Sequence, residues 1–205
     1  VYMADKIIIE VYKTKTPEEF TKILSETDSR LEIGSAAALT AASAAALLRR
    51  AAALTAAEAA DNTRVDYILR NSETLRSYMV HLIDEDVKSR GPLSRAEKEG
   101  DARKIEASLQ TAACISAEIV NMMGQCLELA AELLELCPAE AKQYIGQSAE
   151  LAMAAVRACM IYIVGMGDKS SDDTYRYVTR RENEITLAHC SDVYDGIIEK
   201  VKAAI

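Results

Sequence analysis

Three consecutive acidic residues, Asp84, Glu85 and Asp86, form a cluster of side chains that could take part in proton transfer. A partly buried carboxylate can act as a general acid or base, and its environment tunes its pKa for that role. Acidic residues grouped on a helix are more often exposed to solvent, however. Taken alone, the cluster therefore favours a solvated helix face over a catalytic site.

Two other groups of residues are weaker candidates for chemistry. The segment Gly165–Ser171, "GMGDKSS", has glycines and a lysine but lacks the spacing of a phosphate-binding loop and a preceding strand. It is more typical of a helix end followed by a turn. His81 and His189 are far apart, and no two of the five cysteines have the close spacing of a metal or redox pair. We therefore expect no metal site.

The composition excludes several classes of protein. The 205 residues include only 8 glycines and 3 prolines, and aromatic residues make up 5%, which favours long helices. A net charge of −8 argues against nucleic-acid binding. The longest uncharged run, Ile33–Leu48, is rich in alanine and too short to span a membrane. We expect a cytoplasmic protein with reduced cysteines and no membrane partner.

The first two helices have clear sequence signals. Thr16 is a good N-cap, Pro17 suits the first helical position, and Glu19 completes a capping box. A second helix is predicted from Ser35 to about Ala60, where alanines predominate. Because methyl side chains are small, neighbouring helices can approach such a helix closely.

The remaining pattern predicts four more helices and one long loop. The loop covers residues 90–101, where Gly91, Pro92 and Gly100 lie among charged residues. We expect an all-α bundle of about six helices that forms a single domain over residues 16–205, preceded by an arm or short strand over residues 1–15. The four additional helices are predicted at about 61–89, 102–137, 138–164 and 173–203.

The segment "TPEEFTKILSETDSRLEIGSAAALTAASAAALLRRAAALT" resembles the N-terminal signature of the formiminotetrahydrofolate cyclodeaminase and methenyltetrahydrofolate cyclohydrolase family. Members have a phenylalanine in the first helix, a Pro-x-Pro-Gly-Gly-Gly-Ser loop and a long alanine-rich helix. Phe20 matches the phenylalanine, and Gly34-Ser35 match the end of the loop. The match runs without a gap from Thr16 to Thr55, which argues against an unrelated helical bundle.

The resemblance implies an all-α homodimer with a folate site near the glycine loop and the alanine-rich helix in or beside the subunit interface. Cyclodeaminases close 5-formiminotetrahydrofolate to 5,10-methenyltetrahydrofolate with loss of ammonia, and cyclohydrolases add water to the methenyl carbon. A tetrahydrofolate derivative would be the substrate, and no covalently bound cofactor is implied.

The resemblance also assigns residues to the site. Gly34 and Ser35 would hold the ligand through the backbone, and Asp86, which matches an aspartate of the third helix, would be the acid or base or would stabilise a cation. Glu32 and Ile33 replace glycines of the loop, and the charge of Glu32 would repel an anionic folate tail.

Two hypotheses about function follow. The first is a folate cyclodeaminase or cyclohydrolase. The second is a non-catalytic or differently liganded dimeric binding or assembly protein that keeps the scaffold but has lost the folate site. Ser89-Arg90 replace an Ala-Phe pair after Asp86. Glu32-Ile33 in the glycine loop, together with the family's Asp and Asn that are missing at Gln143 and near Ile161 and Gly165, favour the second hypothesis.

Overall fold

A computed structural model of the chain describes residues 11–58 and 62–204. These residues form seven α-helices and no strand, so the prediction of an all-α bundle of about six helices is confirmed. Six of the seven lie where the sequence predicts them, and the seventh is short. The helices are α1 (Pro17–Leu24), α2 (Ile33–Glu58), α3 (Thr63–Ser89), α4 (Gly91–Glu99), α5 (Ala102–Leu134), α6 (Ala139–Asp168) and α7 (Asp173–Ala203).

The predicted capping box begins α1. The Thr16 hydroxyl accepts a hydrogen bond from the backbone N–H of Glu19 at 3.2 Å. The Glu19 carboxylate in turn accepts one from the backbone N–H of Thr16 at 2.8 Å. These bonds satisfy two backbone donors at the helix start. Phe20 is buried and attaches α1 to the bundle.

The alanine-rich α2 lies in the middle of the bundle, between α3 and α6, and also touches α5. Ala38, Ala41, Ala44 and Ala45 are completely buried. The small side chains permit a close approach, because the hydroxyl of Ser148 on α6 donates a 2.8 Å hydrogen bond to the backbone oxygen of Ala44. Packing within one chain therefore explains the alanine content of α2.

The predicted loop over residues 90–101 is wrong, because it contains α4. Pro92 lies in the first turn of this helix, and Gly100 ends it in a left-handed conformation with φ of 67°. The glycines and the proline are therefore the boundaries of a short helix. Leu93 and Ala96 are its buried residues, and α4 packs against α5.

The prediction of a solvated acidic cluster is wrong for two of its three residues. Asp84 is 7% exposed and Asp86 is completely buried, whereas Glu85 is half-buried. Asp84 accepts hydrogen bonds from the backbone N–H groups of Tyr12, at 2.7 Å, and Lys13, at 3.2 Å. Asp84 therefore ties the segment before α1 to α3.

The prediction of an arm or short strand over residues 1–15 falls mainly on residues 1–10, which lie outside the described residues. Residues 13–15 form a turn, in which the N–H of Lys15 donates to the carbonyl oxygen of Tyr12 at 3.0 Å. The predicted end of the second helix near Ala60 also lies outside the described residues. The single domain over residues 16–205 stays a prediction.

By length and composition alone, α2 and α6 are each apolar enough to cross a membrane. Core helices of soluble proteins share this property. Half of the most apolar window of each helix is buried inside the bundle. The two helices also pack directly against each other.

Candidate functional site

The beginning of α2 lies against the last turns of α3, and this arrangement brings Gly34, Ser35 and Asp86 together. Two successive helices joined by a short connection pack as antiparallel neighbours, so the start of one meets the end of the next. The Ser35 hydroxyl donates a hydrogen bond to Asp86 Oδ2 at 2.7 Å and lies 3.2 Å from the carbonyl oxygen of Ile83. Ser35 and Asp86 are both completely buried.

Gly34 makes room for the Asp86 carboxylate. A Cβ atom at position 34 would lie 2.0 Å from Asp86 Oδ1 and 2.5 Å from its Cγ, far inside van der Waals contact. The absence of a side chain at position 34 is therefore a condition for the burial of Asp86. The space beside Gly34 is occupied by a side chain of the protein itself.

Arg90, one helical turn after Asp86, is the cation of the site. Its Nη2 lies 3.5 Å from Asp86 Oδ2, at the long limit of a hydrogen bond. Its guanidinium group also contacts the Glu32 carboxylate and the backbone oxygen of Arg30. Because Arg90 offsets the charge of Glu32, the predicted repulsion of an anionic ligand by Glu32 is reduced.

Burial dominates the electrostatics of Asp86. It raises the pKa of the carboxyl group, and the charge of Arg90 and the hydrogen bond from Ser35 offset only part of this shift. Asp86 Oδ1 has no hydrogen-bond partner among the described residues. A buried carboxyl group with a raised pKa and an unpartnered oxygen is suited to hold and release a proton.

On the α6 side of the site, burial raises the pKa of Cys159 to about 12 and that of Tyr162 to about 12. The negative charge of Asp86 contributes to both shifts. The thiol and the phenol are therefore both protonated at neutral pH. A protonated thiol is a poor nucleophile, so Cys159 is not suited to covalent catalysis.

A polar cavity of about 400 Å³ lies outside Arg90, between the segment before α2, the end of α3 and α4. Arg90 lines the cavity, but Asp86 does not, so the guanidinium group separates the buried carboxylate from the open space. The charged residues that line the cavity are Asp28, Arg30, Glu32, Arg90, Arg95 and Lys98.

Arg90 and the cavity are the features of the site that the sequence analysis missed. The spacing of four residues between Asp86 and Arg90 is a usable signal, since it places opposite charges on one helix face. No local pattern predicts the cavity, because its wall comes from three segments, one of which was predicted to be a loop.

A search of curated protein sequences finds no significant match. The chain is nevertheless similar to known proteins in its fold and in its match to a family model. Among solved structures, the fold is similar to the crystal structure of formiminotetrahydrofolate cyclodeaminase from Thermotoga maritima. The TM-score is 0.85 at 17% sequence identity, and the alignment covers 93% of this chain and 98% of that chain. The family model described as formiminotransferase-cyclodeaminase matches residues 16–183. Since that match covers most of the sequence, the chain belongs to the formiminotransferase-cyclodeaminase family.

Proposed function

We propose that this protein binds a tetrahydrofolate one-carbon derivative beside the start of α2 and acts on it as a cyclodeaminase or cyclohydrolase. The ligand would be 5-formimino- or 5,10-methenyltetrahydrofolate. Membership of the family supports folate chemistry. At the level of residues, the proposal rests on one observation, the contact of Asp86 with Gly34 and Ser35.

Asp86 has the properties that either reaction requires. Ring closure of the formimino group forms a carbon–nitrogen bond and releases ammonia, so the departing nitrogen needs a proton. Addition of water to a methenyl carbon requires that the water lose a proton. A carboxyl group whose pKa is raised by burial can serve in both directions. Its ionised form would also stabilise the cationic methenyl carbon.

Access to Asp86 requires that Arg90 turn aside. The Glu32 side chain that holds Arg90 is 50% exposed, and ion pairs with an exposed partner contribute little. A ligand that replaces the contacts of Arg90 can therefore displace it. In this mechanism Gly34 and Ser35 position the carboxylate, and Asp86 is the group that touches the substrate.

The test is turnover of 5,10-methenyltetrahydrofolate, followed through its absorbance, by the wild-type protein and by Asp86→Asn. Loss of the proton-transfer group should lower kcat by about 10²–10⁴-fold. Glu85→Gln is the matched control, because it removes the neighbouring, half-buried acid and should leave kcat unchanged. Equal turnover by wild-type protein and Asp86→Asn would show that Asp86 is not the catalytic group.

A second candidate function is a binding or assembly protein without catalysis. The complete burial of Asp86 and its separation from the cavity by Arg90 favour this alternative. Because this alternative has lost the folate site, it predicts that folates neither raise the melting temperature of the protein nor are consumed by it. Turnover by the wild-type protein that is lost in Asp86→Asn would exclude it.

We also propose that the protein is a cytoplasmic homodimer. Large apolar side chains are exposed on α6 and α7, namely Ile161 (71%), Tyr177 (70%) and Ile185 (56%), and exposed apolar patches often mark interfaces. The five cysteines are unpaired, as expected in a reducing compartment. Sedimentation velocity should give a dimer, and a monomer at all concentrations would contradict the proposal.

A further inference from the structure

The cavity outside Arg90 carries an excess of positive charge in an acidic protein. Four cations and two carboxylates line it, whereas the whole chain has a net charge of −8. One of the two carboxylates, Glu32, already pairs with Arg90. A concave site lined by one sign of charge concentrates the field and attracts ligands of the opposite sign.

Three cations of the cavity lack a partner. Within residues 11–58 and 62–204, Arg30, Arg95 and Lys98 make no ion pair and no side-chain hydrogen bond, and Asp28 is the one unpaired carboxylate beside them. Arg95 and Lys98 are three residues apart on α4, so their side chains share a helix face.

Arg90 and Arg95 both line the cavity. Arg95 Nη1 lies 3.6 Å from the position that a Cβ atom of Gly91 would take, next to Arg90 along the chain. The Arg90 side chain is 9% exposed, and its Nε has no hydrogen-bond partner among the residues that the structure describes. Like charges that share one cavity repel each other, and a bound anion would reduce this cost.

We propose that this cavity binds an oxyanion group, a carboxylate or a phosphate, of a small molecule. Arg95 and Lys98 of α4 are the principal contacts, Arg30 closes the opposite side, and Arg90 forms the floor. The planar guanidinium fork matches both oxyanions, because each presents two oxygens to paired N–H donors. Oxyanion binding is independent of folate chemistry, since it requires only that the ligand carry this group.

The test is an NMR titration of the full chain, whose mass of 22.4 kDa suits the method, with inorganic phosphate and with glutarate in separate arms at low salt. We expect saturable binding in the millimolar range, with amide shifts at Gly91 and Ser94, which line the cavity. The anion that binds more tightly identifies the group. Arg95→Gln with Lys98→Gln should weaken binding by at least about tenfold, because two charge-assisted contacts are lost.

A matched control removes two exposed cations far from the cavity, Arg70→Gln with Lys202→Gln. Arg70 lies on α3, twenty residues before Arg90 at the end of that helix, and twenty residues of α-helix span about 30 Å. This control should bind both anions as the wild-type protein does. Absence of saturable binding by either anion, or equal loss of affinity in the two double variants, would overturn the proposal. Neither result depends on whether the protein turns over a folate.

Discussion

At position 34, one hydrogen atom in place of a side chain decides whether a carboxylate can be buried against α2. Asp86 fills the space that any other residue at position 34 would need. Ser35 then holds the carboxylate by a hydrogen bond, and Arg90 supplies a distant counter-charge. Gly34 and Ser35 therefore have a structural reason to be present that does not depend on a ligand.

Gly34→Ala should destabilise the protein by about 1–3 kcal/mol, the usual cost of overpacking. The short Asp86 side chain, held by Ser35, cannot move away without loss of that hydrogen bond. Gly196→Ala is the control, because a Cβ atom there meets nothing within 4 Å in the interior of α7. That change should stabilise the protein by about 0.5–1 kcal/mol. Urea unfolding of both variants measures the two changes in stability. Equal changes would contradict the steric role of Gly34.

The raised pKa of Asp86 predicts a pH dependence of stability. A carboxyl group with a higher pKa in the folded state binds its proton more tightly there. Its stabilising contribution is therefore complete below its ordinary pKa of 3.8 and is lost as the pH rises through the folded-state value. Asp86→Asn has no ionisable group at this position, so the variant does not lose stability in this way. The stability of the variant relative to wild type should increase as the pH rises above about 3.8.

Glu19 provides a control of opposite sign for the pH experiment. The hydrogen bonds from Thr16 lower its pKa below 4.5, so its contribution is present above that value and lost as the pH falls. Glu19→Gln should therefore lose stability relative to wild type as the pH rises. Urea unfolding over a pH series measures both slopes, and slopes of the same sign would refute the assignment.

The candidate site was predictable from the sequence only in part. Gly34, Ser35 and Asp86 came from the resemblance to a family, and the structure places all three in contact. The sequence did not reveal Arg90 as the partner of Glu32 and Asp86. Without its contacts, an arginine in the place of an aromatic residue indicates only that the family pattern is broken. Arg90 pairs with Glu32, so two residues that the sequence analysis treated as separate departures form one ion pair.

At the scale of elements, strong periodic patterns and caps predicted α2, α3, α5, α6 and α7 close to their observed bounds. The exception is α4, because its glycines and proline are common to loops and to the ends of short helices. The burial of Asp84 was not predictable either, since it depends on the segment before α1, which is distant in sequence.

Asp84 connects two elements, and its removal should affect the whole N-terminal segment. Asp84→Ala deletes the acceptor of a buried hydrogen bond from the Tyr12 N–H, which should cost about 1–3 kcal/mol. Glu85→Ala removes a surface ion pair with Lys88 and a contact with His81 and should cost less than about 0.5 kcal/mol. Chemical unfolding measures both, and faster proteolysis before α1 should accompany the first change only. Similar stability costs for the two changes would contradict a structural link between Asp84 and the segment before α1.

At the scale of the whole molecule, the bundle places a buried acid, a buried cation and a cation-rich cavity in sequence from the core to the surface. The alanine-rich α2 makes this possible, because its close contacts with α3 and α6 leave the start of the helix against the end of α3. The scaffold is that of the family, and Arg90, which pairs with Glu32, lies in front of Asp86.

The most direct test of the account is the thermal stabilisation of the protein by 5,10-methenyltetrahydrofolate, measured for the wild-type chain and for Asp86→Asn. A ligand that binds only the folded state adds about 2.7 kcal/mol of stability at one hundred times its dissociation constant. The account predicts a clear rise in melting temperature for the wild-type protein and a much smaller rise for Asp86→Asn at the same concentration. No rise in the wild-type protein, or an equal rise in both, would contradict a folate site at Asp86.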